Sequence, residues 1–440
     1  MNKYIQYMYS YPHKTAYRAL ENVNLRDYFF NLEGEGHSLY LHLPFCESKC
    51  GYCNLFSVTG CNQIQIDDYI DAVLRQVKQY KELLPHGSSF GDFVIGGGTP
   101  LLLESEQIAS VFEAVGTYMP MGVDHKVIIE TAPNQTSQEK TKLLKELGVT
   151  RVSMGIQSFD NEELCWLGRN HDSERAKEAA WLLSNMGFAC VNFDFIYGLP
   201  GQTKETLIRS LGTALSYVPD EIFLYPLYIK HGVWLEREGR KELLDSDHAY
   251  ALYRCGSEYL RENGYAQISM RRFVRKRSGN MFPKFNECGL KSALSLGCGG
   301  RSYLGRLHTC TPYRTTRNAA LEEIERYQRT EDFSFVTNGI LLSDDEMKRR
   351  YVIKHLLILP GISKQAYKKA FQADLLEDFP IIKDWMGQGW LEEHDIGQDY
   401  IGQDYISLTF EGLGLSDYIG PQLISEEIRK KMLEWEQENA

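Results

Sequence analysis

The 440-residue chain contains no run of about 18 apolar residues, so it offers no helix able to cross a membrane. Its start, Met1-Asn-Lys-Tyr-Ile-Gln6, lacks the apolar core of a secretory signal, and a cytoplasmic location is expected. Positive charge is in deficit: 48 Lys and Arg face 59 Asp and Glu, a net charge of −11. That balance argues against a general binder of nucleic acid or anionic membrane. The ten cysteines follow no regular framework and read as free thiols in a reducing compartment. The last absence is local. Cys46-Glu-Ser-Lys-Cys50-Gly-Tyr-Cys53 sets three cysteines in Cx3Cx2C spacing, and Asn54, Leu55 and Phe56 follow where a fourth would be expected.

Ordinary [4Fe–4S] ferredoxin sites use four thiolates. Three on one loop can hold three corners of a cubane and leave one iron open to a small chelating molecule. Two other readings stay open on spacing alone. Zinc would take the same thiols with His42 or Cys61 as fourth ligand, and the three thiols can also be unrelated.

The rest of the chain predicts an α/β fold. Strands are expected at 38–44, 92–95, 126–131, 151–154, 189–196 and 221–229. Helices are expected near 65–84, 104–117, 137–147, 161–167, 173–186 and 203–216. Alternation of this kind implies a parallel sheet with right-handed crossovers, and six units give an open three-quarter (β/α)6 barrel. Barrel chemistry sits at the C-terminal ends of the strands. The cysteines, Gly96-Gly-Gly98-Thr99-Pro100, Glu130, Gln157, Asp194, Tyr225 and Tyr228 all fall there. Four segments are expected: an arm over 1–37, the core over 38–230, a substrate-covering extension over 231–341, and a winged-helix-like module over 342–440. That module carries 11 basic and 19 acidic residues, which argues against DNA. The tandem Ile396-Gly-Gln-Asp-Tyr400 and Ile401-Gly-Gln-Asp-Tyr405 reads as a lengthened wing loop.

Tyr40-x-His42-x-Pro44-Phe45-Cys46-x3-Cys50-x-Tyr52-Cys53 resembles the cluster motif of radical S-adenosylmethionine (SAM) enzymes. More narrowly, it resembles the branch of oxygen-independent coproporphyrinogen III oxidases, haem chaperones and two-SAM methyltransferases. The resemblance is dense over 38–230, thinner to 310, and returns at Leu342-Ser-Asp-Asp-Glu346. It implies a [4Fe–4S] cluster on Cys46, Cys50 and Cys53 with one SAM, or two, bound beside it. It implies SAM contacts for Gly97, Gly98, Thr99, Glu130, Tyr40, Tyr52 and Tyr228. Gln157, Arg169 and Asp194 would surround SAM or a second such ligand. Without the resemblance, Arg169 and Asp194 read as an ordinary ion pair.

Two departures stand out. Leu55 occupies the place of a further cysteine in the coproporphyrinogen oxidases, and Met270-Arg-Arg-Phe273 replaces the chaperones' Asn-Phe-Ala. For substrate, Tyr225, Arg271, Arg272, Cys298 and Arg301 are the candidates. The run Arg271-Arg-Phe-Val-Arg-Lys-Arg277 reads as a solvated charge run or as a site for an anionic substrate. The expected activity is reductive SAM cleavage with hydrogen abstraction from an organic, tetrapyrrole-like anion, as in porphyrin biosynthesis. The alternatives are a two-SAM methyl transfer and a haem chaperone without turnover. The expected partners are a small molecule and an electron donor such as flavodoxin or ferredoxin, with the chain a monomer.

Overall fold

The computed structural model describes residues 2–276, 291–395 and 404–438. Six strands run parallel and lie side by side in chain order: β1 (His37–Leu43), β2 (Phe90–Gly97), β3 (Met121–Thr131), β4 (Arg151–Gln157), β5 (Cys190–Tyr197) and β6 (Glu221–Pro226). The helices between them are α1 (Gln63–Leu83), α2 (Ser105–Tyr118), α3 (Gln138–Glu146), α4 (Asn161–Trp166), α5 (Ser173–Asn185) and α6 (Lys204–Ser216). Local chemistry sets their starts. Asn62 caps α1 in a reciprocal box with Gln65, and Thr203 does the same for α6 with Thr206.

The strands are two-sided. In β4, Val152, Met154 and Ile156 are fully buried, whereas Arg151, Ser153, Gly155 and Gln157 are half-buried. Apolar side chains on one face are what a helix-covered parallel sheet requires. The polar set lies on the other face. This is the mixed α/β barrel architecture expected from the sequence.

Three features differ from expectation. β6 ends at Pro226, because the chain turns away before Tyr228, which lies in the following loop. The sheet does not stop at β1: residues 293–296 add a further parallel strand there. Antiparallel strands at 301–304, 307–310 and 335–341 continue it. Finally, residues 18–24, expected within an arm, form the outermost strand and pair with 335–341.

The chain divides into two compact units. One holds Tyr17–Leu244 and Lys291–Leu341, and therefore the whole barrel. The other gathers Met1–Ala16, Asp245–Leu290 and Leu342–Asn439. In the second unit, helices at 344–356, 364–371, 375–378 and 381–387 accompany a small antiparallel sheet of 362–363, 404–408 and 391–395. The helix at 246–262 and the hairpin of 265–267 with 272–275 belong to it as well. Most of the tandem pentapeptide lies outside the described residues.

Candidate active site

The cysteine loop is pinned along its length. Phe45–Cys46 pairs with Val58–Thr59. The backbone of Gly51 donates to the Leu167 carbonyl at 2.9 Å and accepts from Leu235 N–H at 2.9 Å. A Cβ on Gly51 would stand 2.8 Å from the Trp234 ring, so only glycine fits. His42 Nε2 bonds the Phe56 carbonyl at 2.8 Å, and its Nδ1 meets Tyr40 Oη at 3.1 Å. The glycine turn after β2 docks on the same loop: Gly98 N–H donates to Leu43 O and Thr99 N–H to Phe45 O, each at 2.7 Å. A Cβ on Gly98 would lie 2.4 Å from the Phe45 carbonyl oxygen, and one on Gly97 would lie 2.6 Å from the His42 ring. The turn's glycines therefore serve chain-on-chain packing first.

Thr99 Oγ1 lies 3.8 Å from Cys46 Sγ. Arg169 Nη1 donates to Cys50 Sγ at 2.8 Å, and its Nη2 donates to the Gly155 carbonyl at 2.9 Å. The Arg169–Asp194 ion pair, the reading left without the family resemblance, is not made; the guanidinium faces the cysteine loop. Tyr52, half-buried against Leu167, Leu227 and Leu235, sits beside Cys50 and Arg169, and burial pushes its hydroxyl up. Burial and the neighbouring Cys53 and Cys50 raise the Cys46 thiol to about 11.

Below the loop, polar side chains from successive strands face one another. Glu130 on β3 accepts from Gly97 N–H at 3.2 Å, and its charge acts on Tyr40 of β1 and Asp194 of β5. The Glu130 side chain keeps solvent access; the protein packed around its carboxyl raises it, against the opposing Gly97 hydrogen bond and the Arg151 charge. Asp194 is raised to about 7, chiefly by burial and also by Glu130 and Glu221; the Asn192 hydrogen bond and Arg151 oppose this. Asn192 Nδ2 reaches Asp194 Oδ1 at 2.8 Å and Ser153 Oγ at 2.5 Å. Arg151 Nη2 pairs with Glu221 Oε2 at 2.7 Å and lies over the Phe223 ring. Phe223 in turn stacks on Tyr225, centroids 5.8 Å apart. Gln157, at φ 72°, closes the C-terminal end of β4, with Gly155 leaving room for its amide.

The barrel thus brings together Cys46, Cys50, Cys53, Tyr40, Tyr52, Gly97, Gly98, Thr99, Glu130, Gln157, Arg169 and Asp194. Tyr225 shares its inner face, and the charge of Arg301 acts on Tyr40. Tyr228 lies past the strand end, its ring under Lys230. Two substrate candidates are corrected. Arg271 is 5% exposed in the other unit, ion-paired with Asp417 and stacked 3.7 Å over Tyr7, so its guanidinium is already engaged. Cys298 is 1% exposed; its N–H donates to Tyr69 Oη, and burial pushes its thiol up, so it is a packed residue. Arg272 is half-buried on a strand of that second unit. Sequence reading missed Arg151, Ser153, Asn192 and Glu221. The signal was present: every second residue from 151 to 157 is polar or glycine inside an otherwise apolar strand.

The model of the Radical SAM superfamily matches residues 40–214. The heme chaperone HemW of Haemophilus influenzae is 30% identical over 61% of this chain and 70% of its own length. The chain belongs to the HemN/HemW-like family of radical SAM proteins. HemW of Escherichia coli is 29% identical over 64% of this chain and 74% of that protein. The oxygen-independent coproporphyrinogen III oxidase of Cereibacter sphaeroides is 28% identical over 54% and 53%. Coproporphyrinogen III oxidase (HemN) from Escherichia coli shares the fold, with a TM-score of 0.76 at 20% identity over 95% of this chain and 96% of that one.

Radical SAM proteins carry a [4Fe–4S] cluster and SAM, and the residues here fit both. Among the described residues, no three His, Cys, Asp or Glu side chains converge closely enough to hold a single metal ion. A cubane instead takes one thiolate per iron, from thiols spread around it. Both His42 nitrogens are engaged elsewhere, which further disfavours zinc. The Cys46 thiol, raised by its surroundings, is released from that cost when iron takes the place of its proton. Arg169 Nε and Asn192 Oδ1 are buried in this region without hydrogen-bond partners, leaving capacity for a polar ligand. Among the described residues, no helix is long and apolar enough to cross a membrane.

Proposed function

We propose that this protein is an enzyme that binds SAM beside a cluster on Cys46, Cys50 and Cys53 and removes hydrogen from an organic substrate in the barrel. The observation that carries this reading is the Arg169–Cys50 contact, which ties the three-cysteine loop to a mouth lined by Glu130, Asp194 and Gln157. When bound, the cluster and SAM supply a reductive cleavage to methionine and a 5′-deoxyadenosyl radical. The chain contributes placement and exclusion of water. Gly97, Thr99 and Glu130 form the wall nearest the cysteines. Tyr52 and the apolar residues behind it shield one side, Gln157 closes the end of its strand, and Asp194 stands within the next. Phe223 and Tyr225 offer a flat aromatic surface to a conjugated or ring-bearing substrate, with Arg301 as a cation for an anionic group. A tetrapyrrole-like anion fits that description. A flavodoxin or ferredoxin would deliver the electron.

A second reading has its own support: relatives at 29% and 30% identity are named heme chaperones. One anaerobic experiment separates the readings. Cluster-loaded protein is mixed with SAM and dithionite, and products are resolved by chromatography. Formation of 5′-deoxyadenosine supports the enzyme, and S-adenosylhomocysteine would move the reading to methyl transfer. Stoichiometric haem binding without SAM cleavage would replace it with the chaperone.

A further inference from the structure

Two stretches of chain cover the middle of the cysteine loop, one following α4 and one following β6. Gly51, between Cys50 and Cys53, donates to the Leu167 carbonyl and accepts from Leu235 N–H, each at 2.9 Å. Leu167 and Leu235 are fully buried in one apolar cluster, with Tyr52 and Trp166 packed against it. The fit is close: a Cβ on Gly51 would lie 3.0 Å from Leu235, and one on Gly168 would lie 3.2 Å from Gly51 N. Arg240 joins the two covers. Its guanidinium lies 5.3 Å from the Trp166 ring and 4.8 Å from the Trp234 ring, and its Nη1 donates to the Trp166 carbonyl at 3.2 Å. Gly239, at φ 69°, makes the turn that carries Arg240 back to Trp234 after the short helix Trp234–Arg237. Arg240 forms no ion pair among the described residues; the two ring faces attract its charge instead. Trp234 is 38% exposed, so the joint stands at the surface and not in the core.

We propose that Arg240 is a positioning residue that staples the two covers together and so sets how often the middle of the cysteine loop opens. Cys50 and Cys53 lie one and two residues from Gly51, and a loop that opens less often holds iron longer. The arginine acts on the cysteines only through Leu167 and Leu235, whose backbones hold Gly51 from either side. For the iron, the proposal rests on the cluster reading above. For the staple, it rests on these contacts alone.

Hydrogen exchange of the cluster-free chain reads the staple directly. The N–H groups of Gly51 and Leu235 should exchange about tenfold faster in R240Q, the change expected when two exposed cation–π contacts are lost, while the amides of β1 to β5 keep their native rates. R240K, which keeps a cation over the rings, should stay within about threefold of the native chain. W234L removes one ring and serves as the second variant should R240Q fail to fold. The two changes together should add little beyond either alone, because each breaks the same joint. On cluster-loaded protein, R240Q and W234L should lose iron to a chelator about tenfold faster than the native chain, read from the fading of the cluster's visible absorbance. Native exchange rates at Gly51 in both variants overturn the staple, as does an additive loss in the double variant or an R240K chain as fast as R240Q. Faster exchange with an unchanged rate of iron loss overturns the link to the cluster. A native chain that takes up no cluster overturns the cluster reading, while exchange in the cluster-free chain still decides the staple.

Discussion

Replacing Arg271 with alanine discriminates sharply between the two things a basic residue at that position can do. The sequence suggests a solvated charge or an anion-binding guanidinium; the structure shows a buried pair. Asp417 is 1% exposed, and its carboxylate is paired with Arg271. R271A would strand that carboxylate away from water, and breaking a buried pair from one side costs about 3–5 kcal/mol. Loss of the stack over Tyr7 adds about 0.5–2 kcal/mol. The backbone carbonyl of Asp417 also accepts from Ile5 N–H and Gln6 N–H, so the N-terminal segment should loosen with it. A two-unit chain need not unfold in one step, so the assay should be local. Hydrogen exchange of residues 2–16, 246–262 and 416–422 should accelerate by two to three orders of magnitude, and the barrel strands should stay protected. The double variant R271A/D417A should recover much of the loss, since no buried charge is left alone. Unchanged exchange in R271A, together with weakened binding of an anionic substrate, would refute the reasoning.

Three further outcomes are expected. G98A forces a Cβ to within 2.4 Å of the Phe45 carbonyl oxygen; it should destabilise the cluster-free protein by about 1–3 kcal/mol in urea unfolding. A stable G98A with only weaker SAM binding would show that the glycine serves the ligand instead. Glu47 Oε2 accepts from Gln135 at 2.7 Å, Asn170 at 2.8 Å and, at 3.5 Å, Asn134. E47A should therefore leave overall stability nearly unchanged yet release iron to a chelator several-fold faster; an unchanged rate removes Glu47 as a clasp for the cysteine loop. Asp194, raised to about 7, favours folding fully below the ordinary carboxylate range, and that contribution is lost as pH rises through about 7. D194N should equal the native chain near pH 4 and exceed it by about 1–3 kcal/mol at pH 8 in urea unfolding. Equal stability at both pH values would show that Asp194 is not held protonated by its surroundings.

The cysteine loop and the six strands were legible because their signals are short-range: a fixed cysteine spacing, and apolar stretches bounded by turns. The outermost strand, Arg18–Asn24, was not legible, because its pairing partner lies some three hundred residues onward and its own residues show little alternation. Arg271 misled for a related reason. A cluster of basic residues looks solvated until the chain supplies Asp417, far away in sequence, as its counter-charge. Cys298 looked accessible in a glycine-rich turn, but Tyr69 and its neighbours bury it. The polar alternation over 151–157 was legible, but nothing local in the sequence pairs Arg151 with Glu221, two strands away. Only the curvature of the sheet brings them together.

The second unit draws on three separate stretches of the chain, and the polypeptide passes between units after residues 16, 244, 290 and 341. During synthesis its first stretch leaves the ribosome long before its last. Residues 2–16 meet their partners at Asp247, Arg271, Glu346 and Asp417 only after the barrel strands up to residue 226 have emerged. A truncated product ending before residue 342 would lack the partners that Ile5 and Gln6 find at Asp417 and Tyr11 at Glu346, giving quality-control proteases a ready handle on incomplete chains.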